Sequence, residues 1–222
     1  MIDAISRLQV RRNEARRGIR LCRGKVSMHG GVANFIEEGS IQWASGFKEK
    51  ERDEPNDMRV LFEDGLQAMR MIYYPPCPEP EIAIGLCAHS DPIGLTILLQ
   101  INEMEGLQVK KDGAWVPIKP LQNAFVVNVG DIMEIVSNGV YPSIEHRATV
   151  NSVKERLSIA TVYSPRLDGD VGPAPSLISP ENPPLFRRIG VADYFKNLYT
   201  RELHGKAYLD FLRVQPEEII KS

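Results

Sequence analysis

The sequence predicts a mainly β protein, a sandwich or jelly roll with flanking helices. Between Pro55 and Pro165, apolar and β-branched segments recur at regular spacing, with turn residues between them. No long helical pattern separates these segments, which argues against a parallel sheet built from alternating strands and helices. Asp112-Gly113, between two of the segments, is a strong hairpin signal.

The first zone, residues 1–53, is poorly patterned and stays unassigned. It carries an Arg-rich run between Arg7 and Arg23, a feature of transit peptides. Asp3 and Glu14 weigh against a transit peptide, and we expect a solvated helix or a loose tail instead.

The middle zone, residues 54–166, carries the predicted sheet. A short helix over Asn56–Glu63 opens it and ends near Gly65. The expected strands are Gln67–Tyr74, Ile82–Cys87, Leu95–Ile101, Leu107–Lys110, Ala114–Ile118, Ala124–Val129, Ser143–Val150 and Leu157–Tyr163. Asp131–Val136 is expected to be a short helix in a β setting.

The last zone, residues 167–222, begins as a loop and ends in helices. Prolines argue against regular structure in its first part. They are Pro173, Pro175, Pro180, Pro183 and Pro184. Helical patterns return at Val191–Arg201 and Lys206–Arg213, and we expect these helices to pack on the core.

Composition is that of an ordinary globular protein. The chain has 222 residues, 43% hydrophobic and 25% charged, with a formal net charge of −2, which suits one domain with a small appendage. This balance gives no electrostatic reason to expect nucleic acid or a membrane surface as a partner. We expect a monomer that binds a small molecule, with neither a membrane-spanning segment nor a signal peptide.

The cysteines bear on the compartment. Cys22, Cys77 and Cys87 are odd in number and match no zinc or disulfide framework. A reduced, intracellular compartment is the simplest interpretation, and we expect the cytoplasm.

Two histidines and an aspartate form the candidate metal site. His89 and Asp91 are two residues apart, so a single extended segment would project both from one face. His146 lies in a distant predicted strand that a jelly roll would bring alongside. Two imidazoles and one carboxylate are the ligand set of a non-haem Fe(II) site with open coordination positions.

Simpler interpretations exist for each of these residues. A lone His-x-Asp is a weak motif, and Asp91 before Pro92 could only start a turn. His146 alone could be a hydrogen-bonded core histidine, and zinc is possible in principle. The other histidines, His29 and His204, are interpreted as surface residues.

A second constellation suits an organic acid. Arg156 and Ser158 are again two apart on a predicted strand, so both would face the interior. Buried arginine is rare unless an anion pairs with it, and guanidinium and hydroxyl donors suit a terminal carboxylate. On local sequence alone, Arg156 could instead end a strand at the surface beside Glu155. Tyr74 could add a phenolic hydrogen bond, or be an ordinary strand aromatic.

Several strings resemble plant 2-oxoglutarate- and Fe(II)-dependent dioxygenases, in the group that includes senescence-related, norcoclaurine synthase-like and codeine demethylase-like enzymes. The resemblance covers about Pro55 to Val214. It rests on Tyr-Tyr-Pro-Pro-Cys-Pro from Tyr73, His-Ser-Asp from His89, Gly-Leu-Thr-Ile-Leu-Leu-Gln from Gly94, Asn-Val-Gly-Asp from Asn128, Ser-Ile-Glu-His-Arg-Ala-Thr-Val-Asn from Ser143, and Glu-Arg-Leu-Ser-Ile-Ala from Glu155.

The resemblance implies a double-stranded β-helix fold and an oxygenase function. His89, Asp91 and His146 would hold Fe(II). Arg156, Ser158 and Tyr74 would bind 2-oxoglutarate, the co-substrate consumed with O2. A small plant secondary metabolite or hormone would be hydroxylated, demethylated or desaturated, with release of succinate and carbon dioxide.

Two departures from the family pattern stand out. The family usually has Asn where this chain has Ile72, which predicts altered hydration of the pocket. Family members also have a longer N-terminal region that residues 1–53 do not resemble, which predicts an exposed sheet edge and an open active site. These departures keep two alternatives open: a catalytically impaired remnant or binding protein, and an alkaloid-forming synthase on the same fold.

Overall fold

The computed structural model describes residues 61–200 and 205–214, with the backbone of two short strands at 27–29 and 32–36. The predicted N-terminal tail, most of the helix predicted over Asn56–Glu63 and the interpretation of His204 lie outside the described residues. So does the expectation for the side chain of His29.

Antiparallel strands are the main regular structure of the described chain. They are β1 (Ser27–His29), β2 (Val32–Ile36), β3 (Leu66–Tyr74), β4 (Ile84–His89), β5 (Leu95–Gln100), β6 (Leu107–Lys111), β7 (Ala114–Pro117), β8 (Ala124–Val129), β9 (His146–Thr149), β10 (Arg156–Ser164), β11 (Asp170–Val171) and β12 (Ile189–Gly190). The helices are α1 (Asp131–Val136), α2 (Val191–Tyr199) and α3 (Ala207–Leu212), with a 3-10 turn at Pro175–Leu177.

The strands form two principal sheets. A six-stranded sheet has the order β1-β2-β8-β5-β10-β3, and a four-stranded sheet has the order β4-β9-β6-β7. A two-stranded sheet joins β11 and β12. Every pairing between these strands is antiparallel, which confirms the predicted mainly β architecture of jelly-roll type.

The hairpin predicted at Asp112-Gly113 is confirmed. Lys111 of β6 pairs with Ala114 of β7, so Asp112 and Gly113 alone form the loop between the two strands. Both have positive φ, 51° and 81°, as a type I′ turn requires.

The two principal sheets share a buried apolar cluster. It joins Leu98 and Ala160 of the six-stranded sheet to Leu107 of the four-stranded sheet. Ile72 packs against the same cluster. Ile72 therefore adds apolar surface between the sheets, consistent with the expected change in hydration at this position.

A second and larger core lies under the helices. Its buried members come from α1, α2, α3 and the loop-rich segment between residues 171 and 186, and include Phe186, Tyr194 and Leu209. The C-terminal helices thus pack against α1, as expected. None of the helices in the described ranges is long and apolar enough to cross a bilayer.

Two strands begin later than predicted. The amide of Ile82 donates to the carbonyl of Glu79, so Ile82 belongs to a turn and β4 begins at Ile84. The amide of Ser143 donates to the side chain of Glu134 at 2.6 Å, so its backbone is not available to a neighbouring strand there. β9 therefore begins at His146.

Candidate metal and carboxylate site

The three predicted metal ligands come together at one end of the four-stranded sheet. His89 is the last residue of β4 and His146 is the first of β9, and the two are paired directly across the ladder. The prediction that His89 and Asp91 share one strand is wrong, because β4 ends at His89. Asp91 lies in the connection to β5, where its carbonyl accepts a 2.8 Å hydrogen bond from the amide of Asp131.

The donor atoms converge to metal-binding distances. One ligand atom from each of His89, Asp91 and His146 lies within 4.8 Å of the others. Asp91 Oδ1 is 3.5 Å from His89 Nε2 and 3.7 Å from His146 Nε2. The two imidazole rings are 4.4 Å apart between centroids.

The backbone sets the tautomer of both imidazoles. Nδ1 of His89 faces the carbonyl oxygen of Cys87 at 2.8 Å, and Nδ1 of His146 faces that of Ile144 at 3.2 Å. A carbonyl only accepts, so Nδ1 carries the proton and donates. Nε2 of each ring is left facing Asp91, where it would give its lone pair to a metal, as ligating histidines do.

The charges suit a divalent cation. Burial tends to raise the pKa of Asp91, but a hydrogen bond with His89, the neighbouring His146 and the Thr96 hydroxyl lower it to about 2. Burial lowers the pKa of His146. Burial also lowers the pKa of His89, but its hydrogen bonds with Asp91 and the Cys87 carbonyl outweigh this and raise it overall. An ionised carboxylate beside two imidazoles is a donor set that fits Fe(II).

Thr96 holds the Asp91 carboxylate in place. Its hydroxyl donates to Asp91 Oδ2 at 2.6 Å, leaving Oδ1 facing the two histidines. Thr96 is buried on β5, so this orientation depends on a rigid strand of the larger sheet. Thr96 belongs to the motif from Gly94 to Gln100, but the residues of that motif alone do not indicate this function.

Arg156 is buried without a counter-charge. It begins β10 and is only 3% exposed, and no carboxylate among the described residues lies within ion-pair distance of it. Its guanidinium donates to Gln100 Oε1 at 3.0 Å and to Ser158 Oγ at 3.4 Å, and Nε has no partner. Because an unpaired buried cation is costly, this arrangement fits a ligand carboxylate.

Tyr74 lies beside Arg156, where its phenol could serve the same ligand carboxylate. The two residues are directly opposite in the β3–β10 ladder. Burial raises the pKa of Tyr74, while the charge of Arg156 opposes that rise. The phenol is therefore protonated at neutral pH and able to donate to an acid.

Gly106 makes room for the Arg156 side chain. A Cβ at this position would lie 2.7 Å from Arg156 Cδ and 3.0 Å from the carbonyl oxygen of Thr149. Those distances are shorter than van der Waals contacts, so only glycine leaves the side chain where it is. The sequence carried no signal for this contact, because Gly106 is distant from Arg156 along the chain.

One strand links the two constellations. Thr96 and Gln100 lie four residues apart on β5, so their side chains share a face about 13 Å apart along the strand. Thr96 binds the metal-ligand carboxylate, and Gln100 binds Arg156. The metal and carboxylate subsites therefore lie at opposite ends of one sheet face.

Comparison with known proteins agrees with this geometry. Residues 65–165 match the model of the 2OG-Fe(II) oxygenase superfamily. Oxoglutarate-dependent flavonoid 7-O-demethylase 1 of Ocimum basilicum is 59% identical over 162 residues, covering 73% of this chain and 44% of that protein. Codeine O-demethylase of Papaver somniferum is 59% identical over 157 residues, covering 71% of this chain and 44% of that protein.

A solved structure shows the same fold. The crystal structure of JOX2 in complex with 2OG, Fe and JA superposes with a TM-score of 0.67 at 42% identity. The matched region covers 71% of this chain and 47% of the JOX2 chain. The chain thus spans about half the length of the relatives it matches.

The fold, the three-ligand cluster and these matches agree on one class. Residues 65–165 carry a 2OG-Fe(II) oxygenase domain, and the described structure has the mainly β fold of solved 2-oxoglutarate oxygenases.

Proposed function

We propose that the chain is an Fe(II)- and 2-oxoglutarate-dependent oxygenase that oxidises a small plant secondary metabolite or hormone. The single observation that carries this proposal is Arg156, a buried cation with no counter-charge among the described residues, on the sheet face that also supports the three-ligand cluster. A metal site alone would not require it. A co-substrate that chelates iron at one end and presents a carboxylate at the other accounts for both features.

The residues divide the work between two subsites. His89, Asp91 and His146 would hold Fe(II), and Arg156, Ser158 and Tyr74 would hold the distal carboxylate of 2-oxoglutarate. Bound iron supplies the oxidising chemistry, in which O2 and 2-oxoglutarate are converted to succinate and carbon dioxide while one oxygen atom enters the substrate. The protein's own contribution is to fix the ligand atoms, neutralise the carboxylate and exclude water.

The two demethylases at 59% identity support a methyl ether as the substrate class. Hydroxylation of an O-methyl carbon gives a hemiacetal, which separates into the free hydroxyl compound and formaldehyde. We therefore propose O-demethylation of an aromatic metabolite, with hydroxylation or desaturation of such a metabolite as the broader class.

Partners and location follow as parts of the same proposal. The proposal keeps the monomer that the sequence analysis expects. The net charge of −2 favours neither nucleic acid nor a membrane surface as a partner, and the odd cysteine count favours the cytoplasm. Light scattering and the distribution of a fluorescent fusion test these two points.

The direct test is product analysis. The purified chain is incubated with Fe(II), 2-oxoglutarate, O2 and a panel of O-methylated flavonoids and alkaloids, and succinate and formaldehyde are quantified. We expect equal amounts of both from an accepted substrate, and neither from His146→Ala. Product that forms without consumption of 2-oxoglutarate would instead support the synthase alternative. Failure of the wild-type chain to form succinate with any substrate would contradict the oxygenase proposal.

A further inference from the structure

Two buried acids lie directly behind the metal cluster and have no role in the proposed chemistry. Asp131 and Glu134 are 2% and 3% exposed on α1, a helix whose residues are all buried. Carboxylates are rarely this buried unless several donors surround them. Their partners show what they hold together.

Asp131 contacts both ligand-bearing segments. Ser90, between His89 and Asp91, donates to Asp131 Oδ2 at 3.0 Å, and Ser143, three residues before His146, donates to Asp131 Oδ1 at 2.5 Å. The amide of Asp131 also donates to the carbonyl of Asp91 at 2.8 Å. One residue therefore fixes the spacing between the two segments that carry the ligands.

Glu134 connects this unit to the C-terminal segment. Its Oε2 accepts from Lys206 Nζ at 2.6 Å and from the amide of Ser143 at 2.6 Å. Its Oε1 accepts from Arg213 at 2.8 Å. Each of these partners is a donor, and two of them, Lys206 and Arg213, are cations that flank α3.

The C-terminal segment also touches the ligand strand directly. The carbonyl of Gly205 accepts a 3.4 Å hydrogen bond from the amide of Ser90, and Gly205 forms an isolated bridge with His89. Lys206, the next residue, also donates to the carbonyl of Ser143 at 3.1 Å. Residues 205–213 are therefore fastened to both ligand segments, through Glu134 and through the backbone.

We propose that Glu134 is a positioning residue for the metal centre, and that it makes the C-terminal segment from Gly205 to Arg213 a structural part of that centre. The inference rests on the proposed function, since it assumes that the cluster binds a metal. Glu134 acts through Ser143 on the segment that carries His146 and through Lys206 on the segment next to His89.

Glu134→Gln tests this directly, because the amide cannot replace the carboxylate. A glutamine has one acceptor oxygen and an NH2 group, and the NH2 group would face Lys206, Arg213 or Ser143, which are donors themselves. Glu134→Gln should therefore lose its hydrogen bond to at least one of Ser143, Lys206 and Arg213. We expect the affinity for Co(II), used as the probe metal, to fall about tenfold, in the range found when groups that orient metal ligands are removed.

The experiment measures Co(II) binding to the full chain by visible absorption and, in parallel, urea unfolding of the metal-free protein. Lys206→Met is the second variant, because its side chain is 26% exposed and its loss threatens folding less. Lys154→Met is the matched control, because it removes an exposed ion pair with Glu103 away from the site. We expect weaker Co(II) binding and an altered Co(II) spectrum in Lys206→Met, and no change in Lys154→Met.

The outcomes separate positioning from mere stabilisation. A variant that unfolds at lower urea but binds Co(II) with unchanged affinity and spectrum would overturn the inference. If Glu134→Gln does not fold, the Co(II) affinity and spectrum of Lys206→Met decide between positioning and stabilisation by the same criterion. If the wild-type chain binds no Co(II) or Fe(II), the proposed function fails and this inference falls with it. If the wild-type chain binds Co(II) and both variants bind it unchanged, the inference about Glu134 is wrong while the proposed function stands.

Discussion

Arg156 shows how much one residue's surroundings reveal about a site. A surface arginine would need no explanation, but this side chain is 3% exposed, and its hydrogen-bond acceptors among the described residues are the neutral side chains of Gln100 and Ser158. Burial also lowers its pKa, which reflects the cost of keeping the charged form out of water. The free protein thus carries a charge that a bound carboxylate would neutralise.

The first prediction is that Arg156 favours binding of 2-oxoglutarate without contributing to the stability of the ligand-free protein. Arg156→Met should cost binding of 2-oxoglutarate about 2–5 kcal/mol, the range for truncating one partner of a buried charged pair. In the ligand-free protein the same change removes an uncompensated buried charge, so the free energy of unfolding should not decrease. Calorimetric titration and urea unfolding measure the two quantities. A destabilised variant that still binds 2-oxoglutarate normally would refute this role.

The second prediction concerns the glycine beneath that arginine. Gly106→Ala should raise the KM for 2-oxoglutarate about tenfold, because its Cβ would lie 2.7 Å from Arg156 Cδ and would displace the guanidinium. Gly169→Ala is the matched control, since its Cβ would meet its nearest neighbour at an ordinary 3.6 Å. Equal KM values for both variants would show that Arg156 tolerates the displacement.

At the scale of the element, β5 organises the site. Thr96 and Gln100 project from one face of this strand, and each fixes the side chain that defines one subsite. β5 itself lies between β8 and β10 in the six-stranded sheet. A central strand is held on both sides, so its side chains are positioned more rigidly than those of a loop.

The third prediction follows from that support. Thr96→Val keeps the shape but removes the 2.6 Å hydrogen bond to Asp91, so Fe(II) affinity should fall about 10- to 100-fold. Thr161→Val, on neighbouring β10, is the control, because Thr161 is partly exposed and contacts none of the proposed ligands. Unchanged Fe(II) affinity in Thr96→Val would show that Asp91 needs no external orientation.

Much of the sheet was predictable from sequence because alternation and turn chemistry are local. β5, β8 and the hairpin at Asp112-Gly113 lie where the pattern placed them. The start of β9 was not predictable in this way, because the Ser143 amide is taken by the distant side chain of Glu134. The extended segment expected to carry both His89 and Asp91 leaves the sheet after His89 for a similar reason, since the carbonyl of Asp91 bonds to Asp131.

The residues of the candidate site likewise fall into two groups, those that local sequence indicates and those that depend on contacts remote along the chain. His89, Asp91, His146, Arg156 and Ser158 were candidates from residue type and spacing, Tyr74 was an optional further donor, and the family resemblance implied the whole set. Gly106 and Gln100 were not candidates, because their importance lies in contacts between residues that are remote along the chain. Asp131 and Glu134 did leave a signal: two acids on a short helix that is otherwise apolar, a pattern that indicates buried carboxylates with dedicated donors.

At the scale of the whole molecule, elements of two cores hold the metal cluster. One core lies between the two principal sheets and includes Leu98 of β5, and the other lies among α1, α2 and α3. The ligand-bearing segments are bonded to both, since α1 contacts Ser90 and Ser143 while β5 contacts Asp91. Filling the site should therefore stabilise the whole described structure, not only the loop around Asp91.

The fourth prediction concerns how ligand binding at the site changes the stability of the folded chain. Fe(II) and 2-oxoglutarate bind only the folded chain, so each should raise its free energy of unfolding, by about 2.7 kcal/mol at a concentration one hundred times its dissociation constant. Anaerobic urea unfolding with and without both ligands measures the gain. His146→Ala should gain nothing from Fe(II), and an equal gain in that variant would place the metal elsewhere.

The central claim is that one sheet face assembles a metal subsite and a carboxylate subsite for a single co-substrate. The most direct test adds Fe(II) and then 2-oxoglutarate to the protein without oxygen, and records the visible charge-transfer band of a keto acid chelated to iron. We expect a band that saturates at one equivalent of 2-oxoglutarate, disappears in His146→Ala and requires far more 2-oxoglutarate in Arg156→Met. A folded wild-type protein that gives no band, or a band unchanged in both variants, would contradict the account.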